Sequence, residues 1–310
     1  MNTVPAKGAY PIGTPGVAWG ASEKAQWFSR QRKRRSFEDE VVTRIERLAS
    51  RFDVVEYGRL DYPPDHYRQL ALRSRVVSAD RPWVLVTGGV HGYETSGVHG
   101  ALQFLETRAA DYPVNLLAVP CVSPWGYERI HRWNANALDP NRSFKEGSGA
   151  GEATAVLKLV APLQGHFLVH VDLHETTDSD ESEFRPALAA REGKAYEPGL
   201  IPDGFYLVDD SENPQLEFQR AIIDAVAKVT HIAPADDKNE IIGSPVLSPG
   251  IIEYPMRKLG LCAGITGARF TTTTEVYPDS PRTTAAQCND AQVVAVCAAI
   301  EFALRVQPAS

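Results

Sequence analysis

A histidine and a glutamate three residues apart, His91 and Glu94, follow the apolar segment Val84–Val86 and the glycine pair Gly88-Gly89. The aliphatic segment is typical of a buried parallel strand, and the glycines allow the backbone to turn sharply after it. Open α/β sheets bind ligands beyond the carboxyl ends of their strands, so both side chains are predicted at that edge. An imidazole nitrogen and a carboxylate oxygen suit a borderline ion such as zinc. Alone, the pair is a weak signal, because solvated turns also contain it.

A second strand followed by a histidine supplies the third ligand of the predicted site. The apolar segment Phe167–Val171 leads directly into Asp172-Leu-His174. Two imidazole nitrogens and one carboxylate oxygen leave one tetrahedral position open, which is the arrangement of a catalytic rather than a structural zinc site. The sequence therefore predicts one zinc ion per chain, bound by His91, Glu94 and His174.

Four motifs in a fixed order resemble the M14 family of zinc metallocarboxypeptidases over roughly residues 80–280. They are His91-x-x-Glu94, Asp139-Pro-Asn141-Arg142, Asp172-Leu-His174 and Thr273-Thr-Glu275. The resemblance implies an α/β fold, a three-layer α/β/α sandwich around a mixed, mostly parallel eight-stranded sheet. It also implies that His91, Glu94 and His174 are the zinc ligands and that Glu275 is the general base.

The same resemblance implies how a substrate is held. Arg132 corresponds to the arginine that polarises the scissile carbonyl, and Asn141 and Arg142 correspond to the pair that grips a terminal carboxylate. This chain has Asp-Pro-Asn-Arg where the family commonly has Asp-Leu-Asn-Arg, a change that stiffens the backbone and keeps both functional side chains. Tyr254 lies at a suitable distance before Glu275 to cap the substrate, but its surroundings do not match the family pattern.

Three functions compete at this stage. The first is a zinc-dependent metallocarboxypeptidase that hydrolyses the C-terminal peptide bond. The second is a zinc-dependent deacylase of N-acyl amino acids, because Asp172-Leu-His-Glu-Thr-Thr177 is similar to the desuccinylase and aspartoacylase branch. The third is a metal-free binding protein that keeps the fold without the chemistry. The three ligands and Glu275 together argue against the third.

Composition limits the partners. The chain has 310 residues, 43% of them hydrophobic, which permits one large core; we expect an extended arm over residues 1–22 and a single catalytic domain over 23–310. A net charge of −7 argues against nucleic acid as a partner. The basic cluster Arg30–Arg35 is interpreted as a solvated segment before a helix. The partner expected is a small peptide or N-acyl amino acid with a free carboxylate.

The four cysteines show no paired spacing and predict neither a disulfide framework nor a cysteine zinc site. The amino terminus lacks the apolar core of a signal peptide, and no apolar run is long enough to span a membrane. These features favour a cytoplasmic location. Nothing in the sequence indicates an oligomeric state.

Hydrophobic periodicity predicts alternating strands and helices. A helix that opens at Ser36 is followed by an antiparallel edge pair and then by the central strand at 83–87. Residues 120–149 are predicted to form a long functional loop, residues 176–214 a surface excursion, and residues 241–268 an irregular region around the substrate pocket. The other predicted strands are 114–119, 167–171 and 269–276, and the other predicted helices are 95–108, 151–160, 218–229 and 283–306.

Overall fold

The computed structural model describes residues 10–306. The α-helices are α1 (Ala21–Arg30), α2 (Thr43–Arg47), α3 (Thr95–Thr107), α4 (Pro124–Arg129), α5 (Gly151–Val160), α6 (Arg185–Glu192), α7 (Leu216–Val226), α8 (Met256–Leu259) and α9 (Ala285–Val306). The strands are β1 (Phe52–Tyr62), β2 (Asp65–Ser74), β3 (Trp83–Gly88), β4 (Asn115–Val119), β5 (Phe167–Glu175), β6 (Tyr206–Asp210), β7 (Glu240–Ile241), β8 (Ser244–Pro245), β9 (Ile251–Tyr254) and β10 (Phe270–Val276).

One mixed sheet of eight strands organises the molecule, in the order β1-β2-β4-β3-β5-β10-β6-β9. Strands β4, β3, β5 and β10 are parallel neighbours, and β6 is parallel to β9 but antiparallel to β10. Strands β1 and β2 form the antiparallel edge, and β2 is also antiparallel to β4. The predicted fold class, an α/β fold around a mixed eight-stranded sheet, is confirmed.

Helices cover both faces of the sheet, because the central strands are buried on both sides. On one face, α3 and α7 pack against α9. That core includes Val169, Val171 and Leu173 of β5. The other face packs against α5 and includes Leu85 of β3. Since side chains alternate along a strand, His170, Asp172 and His174 of β5 point away from the first core.

The predicted periodic elements are found within a few residues of their predicted bounds. The hydroxyl of Ser36 accepts a hydrogen bond from the backbone N–H of Asp39 at 3.0 Å, as expected for a cap. The helix that follows begins with a π-turn, Glu38–Val42, and continues as α2. One correction bears on the site: β5 extends to Glu175 instead of ending at Val171, so that His174 lies within the strand.

Three of the predicted irregular regions contain regular structure. Residues 120–149 include α4, residues 176–214 include the buried strand β6, and residues 241–268 include β9 of the main sheet. The interpretation of 176–214 as a surface excursion is therefore wrong for β6. Both β6 and β9 are short, and periodicity does not identify strands of this length reliably.

The amino-terminal segment lies on the body of the protein. Residues 1–9 of the predicted arm fall outside the described residues. Ile12 and Trp19 are buried, and the indole N–H of Trp19 donates to the Ile12 carbonyl at 3.3 Å. The ring of Trp19 also meets Trp133 edge-on at 6.1 Å. Helix α1, which starts at Ala21 and buries Trp27, was not predicted from the sequence.

Among residues 10–306, no helix has the length and apolar character needed to cross a membrane.

Candidate metal centre and active-site cleft

The carboxyl ends of β3 and β5 bring the predicted ligands together. These strands are parallel neighbours, with Gly88 opposite Leu173. A Cβ atom on Gly88 would lie 2.4 Å from the Gly97 carbonyl oxygen, so only glycine lets the strand pack this closely on α3. Gly89 follows with φ +58°, a left-handed conformation that favours glycine, and it turns the chain toward His91.

His91, Glu94 and His174 form the cluster that the sequence predicts. One donor atom from each residue lies within 4.8 Å of the others, and all three residues are buried. Glu94 Oε1 lies 2.7 Å from Nδ1 of His91, and Oε2 lies 2.7 Å from Nδ1 of His174. The second contact is not aligned as a hydrogen bond, and Oε2 has no hydrogen-bond partner within residues 10–306. A buried carboxylate oxygen facing two imidazole nitrogens fits a metal ion.

The other nitrogen of each histidine is held by a carboxylate. His91 Nε2 lies 2.9 Å from Asp139 Oδ1, and His174 Nε2 lies 2.8 Å from Asp172 Oδ2. The buried hydroxyl of Thr87 donates to the second oxygen of Asp172 at 2.6 Å. Such carboxylate partners fix the ring orientation of metal-binding histidines, so this arrangement directs both Nδ1 atoms toward Glu94.

The charges of the cluster suit a cation. Burial acts to raise the pKa of Glu94, but His174 and His91 outweigh it and lower that pKa to about 2. Burial likewise opposes protonation of His174, and the carboxylates of Glu94 and Asp172 outweigh it and raise its pKa. A metal ion would therefore meet an ionised glutamate and replace a proton on the histidine.

Glu275 lies next to this cluster at the end of β10. It is opposite His174 in the parallel ladder between β10 and β5. The hydroxyl of Thr176 donates to Glu275 Oε2 at 3.0 Å. Burial raises the pKa of Glu275 to about 8, although the nearby His174 acts to lower it and Glu94 acts to raise it. A divalent cation bound beside the carboxylate would favour its ionised form.

Arg132 is fixed by two aspartates. Its Nε donates to Asp139 Oδ2 at 3.1 Å, and its Nη1 donates to Asp180 Oδ1 at 3.3 Å. The hydroxyl of Tyr93, which lies between the ligands His91 and Glu94 in the sequence, also donates to Asp180, at 2.9 Å. Asp139 therefore contacts both a predicted metal ligand and the predicted carbonyl-polarising arginine.

Asn141 and Arg142 lie on a short 3₁₀ turn, Pro140–Arg142, whose first amide is capped by Asp139. Asn141 is buried, with Nδ2 3.4 Å from His174 Nε2 and Oδ1 accepting from the Cys262 N–H at 2.8 Å. Arg142 is exposed and donates to the Asn141 carbonyl at 2.7 Å. Within residues 10–306 it forms no ion pair with a carboxylate, so its charge is available to an anion.

These side chains open onto one cleft. A cavity of about 100 Å³ is lined by His91, Arg132, Asn141, Arg142, Tyr254 and Glu275, among others. An adjoining cavity of about 480 Å³ shares Arg132 and Arg142. The Tyr254 hydroxyl accepts a hydrogen bond from Ser244 at 3.2 Å, which ties β9 to the β7–β8 hairpin at the rim. The cleft thus brings His91 of the predicted metal site together with the carboxylate of Glu275 and the two arginines, Arg132 and Arg142.

Sequence reasoning missed the roles of Asp139, Asp172 and Asp180. Two of these could have been found: Asp172 is two residues before His174 on a strand, so both point to the same face. Asp139 belongs to the same motif as Asn141 and Arg142. Asp180 offered no such signal, because it reaches Arg132 from a helical turn, Asp180–Phe184, in the region predicted to be a surface excursion.

Metallopeptidases and metallo-carboxypeptidases are the class of protein whose solved structures share this fold, and the predicted resemblance is confirmed at that level. The chain is similar to a protein from Shewanella baltica OS155 assigned as a metallopeptidase, with 20% identity, a TM-score of 0.62 and coverage of 93% and 99% of the two chains. It is also similar to one from Shewanella amazonensis SB2B, with 23% identity, a TM-score of 0.60 and coverage of 84% and 90%. A metallo-carboxypeptidase from Burkholderia cenocepacia matches with 15% identity, a TM-score of 0.59 and coverage of 85% and 68%.

No protein-family model and no curated protein sequence matches the chain. The likeness therefore rests on the fold, and the chemistry has to be argued from the residues of this chain.

Proposed function

We propose that the protein is a zinc-dependent metallocarboxypeptidase that removes the C-terminal residue of a peptide. The observation that carries the proposal is the buried His91, Glu94 and His174 cluster, whose donor atoms lie within 4.8 Å of one another. It lies beside a cleft that contains Glu275 and Arg142, an arginine that forms no ion pair within residues 10–306. We expect the catalytic domain to comprise residues 23–310.

Each part of the cleft has a chemical role in this proposal. A zinc ion held by His91, Glu94 and His174 would supply Lewis-acid chemistry. Glu275 accepts a proton from the attacking water and later passes it to the leaving amine. Arg132, held in place by Asp139 and Asp180, donates to the carbonyl oxygen as negative charge develops there.

Arg142 defines where the substrate ends. A planar guanidinium can hold a carboxylate through two parallel charge-assisted hydrogen bonds, and no carboxylate of residues 10–306 competes for it. An enzyme that anchors the terminal carboxylate positions the preceding peptide bond for attack. The free carboxylate is therefore the substrate feature that this proposal requires.

Deacylation of N-acyl amino acids is the second candidate. Such substrates carry the same free carboxylate, and the small cavity of about 100 Å³ next to the metal cluster suits a short group. Assays of peptides against N-acyl amino acids on the zinc-loaded protein separate the two reactions. The peptidase proposal predicts the higher kcat/KM for peptides.

The carboxylate anchor is tested by comparing one peptide as the free acid and as the C-terminal amide. The wild type is expected to cleave the acid and to cleave the amide poorly. Arg142→Ala should cost about 2 to 4 kcal/mol in kcat/KM for the acid, because charged hydrogen bonds are lost and the carboxylate is left unpaired. The same substitution should have little effect on the amide.

Arg269, which lies away from the cleft with its guanidinium 5.0 Å from the Phe270 ring, provides the control. Arg269→Ala should leave the preference for the acid unchanged. Equal cleavage of acid and amide by the wild type, or an equal loss on both in Arg142→Ala, would show that Arg142 does not anchor a carboxylate.

A further inference from the structure

Arg35 differs from the rest of the basic cluster in which it lies. Arg32, Lys33 and Arg34 are exposed, as expected for a solvated segment, whereas Arg35 is half-buried. The interpretation of Arg30–Arg35 as a solvated segment is therefore wrong for its last residue. The side chain of Arg35 reaches back under the loop that carries His91 and Glu94.

Three hydrogen bonds fix the Arg35 guanidinium between helix α4 and the segment that carries His91 and Glu94. Its Nη2 donates to the Gly92 carbonyl at 2.8 Å, and its Nη1 donates to the Thr95 hydroxyl at 2.8 Å. Its Nε donates to the Tyr127 carbonyl at 2.7 Å. The guanidinium carbon also lies 3.5 Å from the centre of the Tyr127 ring, which holds the planar group flat against the turn of α4.

The contacts of Arg35 bracket the two metal ligands of this loop. Gly92 and Thr95 are the residues next to His91 and Glu94, respectively. The loop packs directly against α4. A Cβ atom on Gly92 would lie only 2.0 Å from the Gly126 carbonyl carbon. Arg35 therefore sets the path of the backbone that determines how far apart the two ligands lie.

The chemistry of these contacts requires arginine. Its acceptors are two carbonyl oxygens and one hydroxyl that lie in different directions, and no carboxylate of residues 10–306 forms an ion pair with it. A rigid fork of five donors can satisfy all three acceptors at once, whereas the single ammonium of lysine cannot. The side chain therefore acts mainly by fixing the positions of its three acceptors, and less through its charge.

We infer that Arg35 is a positioning residue for the metal centre, acting through Gly92 and Thr95 on His91 and Glu94. This inference rests on the zinc site of the proposed function. Residues that orient metal ligands without touching the metal typically change metal affinity by about 10- to 100-fold when they are replaced. We expect Arg35 to lie within that range.

The test measures the zinc dissociation constant of the full-length protein by competition with a chelator. Arg35→Lys and Arg35→Ala are both expected to weaken zinc binding by about tenfold or more. The matched control is Arg129→Lys. Arg129 is buried, lies 4.5 Å from the Trp125 ring and pairs with Asp65, and none of its hydrogen bonds within residues 10–306 goes to residues 91–95. Its replacement should lower the Tm of the metal-free protein and leave the zinc dissociation constant within about twofold.

Cobalt(II) substitution separates positioning from general stability. The visible absorption of the cobalt protein reports ligand geometry, and it should change in Arg35→Lys but not in Arg129→Lys. Zinc affinity and a cobalt spectrum equal to wild type in Arg35→Lys would overturn the inference. Equal losses of zinc affinity in the Arg35 and Arg129 variants would assign Arg35 to folding alone and overturn it as well. A wild-type protein that binds no zinc would instead reject the metal site of the proposed function, and the inference with it.

Discussion

Each histidine of the predicted metal site has a hydrogen-bond partner that determines which of its nitrogen atoms can bind a cation. His91 and His174 hold carboxylates at Nε2, so the Nδ1 atoms are the ones directed at Glu94. An ion bound at this point would be held by two imidazole nitrogens and one carboxylate oxygen, a donor set that suits zinc. The positions of Asp139 and Asp172, which hold the two Nε2 atoms, therefore indicate which imidazole nitrogens would bind the ion.

His174→Ala should abolish most zinc binding, because removing one of three protein ligands sharply weakens such a site. We expect about one zinc per chain in the purified wild type and a small fraction of that in the variant, measured by metal analysis after dialysis. His166→Ala provides the control, because His166 lies outside the cluster. Full zinc occupancy in His174→Ala would reject the assignment, and a wild type without metal would favour the binding-protein alternative.

Glu275→Gln tests the proposed base. The substitution keeps the shape of the side chain and its hydrogen bond with Thr176, but an amide cannot accept the proton. We expect retained zinc and a kcat lower by at least about 10²-fold, a typical contribution of a general base. Steady-state kinetics and metal analysis on the same preparation measure both quantities. A variant with near wild-type kcat would show that Glu275 is not the base.

Residues predicted to act through their own chemistry were accessible from the sequence, whereas some of those that act on a neighbouring residue were not. His91, Glu94 and His174 were predicted because few residue types bind zinc and because each group follows a strand. Asp180 and Arg35 could not be predicted. Their partners are distant in sequence, and aspartate or arginine in a loop is ordinarily solvated.

At the scale of elements, prediction succeeded where an element was long or strongly apolar. Strand β3 and helix α9 were found because periodicity is reliable over such segments. Strands β6 and β9, of five and four residues, were missed, and they occupy one edge of the sheet beside the cleft. Their positions depend on the pairing of β6 with β10 and of β9 with β6, which is a tertiary effect that local sequence does not encode.

The end of β5 shows why strand boundaries matter for the site. Because β5 continues to Glu175, the carboxylate of Glu175 accepts hydrogen bonds from the N–H groups of Thr95 and Ser96 at 3.0 and 2.6 Å. These are the first amides of α3, which would otherwise lack partners. The strand that supplies His174 therefore also caps the helix that follows Glu94. Hydrogen bonds from backbone N–H groups thus link the segment that carries His174 to the one that carries His91 and Glu94.

At the scale of the whole molecule, acid pH should destabilise the fold through buried histidines. Burial lowers the pKa of His131 to about 3, and burial together with Arg44 and Arg35 lowers that of His99 to about 4. Burial also lowers the pKa of His170 to about 4. An unfolded histidine binds its proton near pH 6.5, so between about pH 6.5 and 4 these three side chains bind more protons in the unfolded state, and their contribution to the free energy of unfolding falls as pH falls.

Urea unfolding of the metal-free protein at pH 7.5, 6, 5 and 4.5 measures this effect without a contribution from metal release. Each such histidine contributes up to about 1.4 kcal/mol per pH unit in that window. In His131→Asn an amide oxygen can still accept the hydrogen bond from Trp133 N–H, and the slope should be smaller by up to about that amount. A pH slope in His131→Asn equal to that of the wild type would contradict the prediction.

The position of β10 has a consequence for the synthesis of the protein on the ribosome. It is the last strand in the described part of the chain, yet it lies between β5 and β6, which are made earlier. A nascent chain that has emerged as far as β5 already possesses His91, Glu94 and His174, but it lacks Glu275. Under the proposed mechanism, the growing polypeptide therefore carries all three predicted metal ligands well before it carries the base. Hydrolysis can begin only after translation has passed Glu275 and β10 has taken its place between β5 and β6.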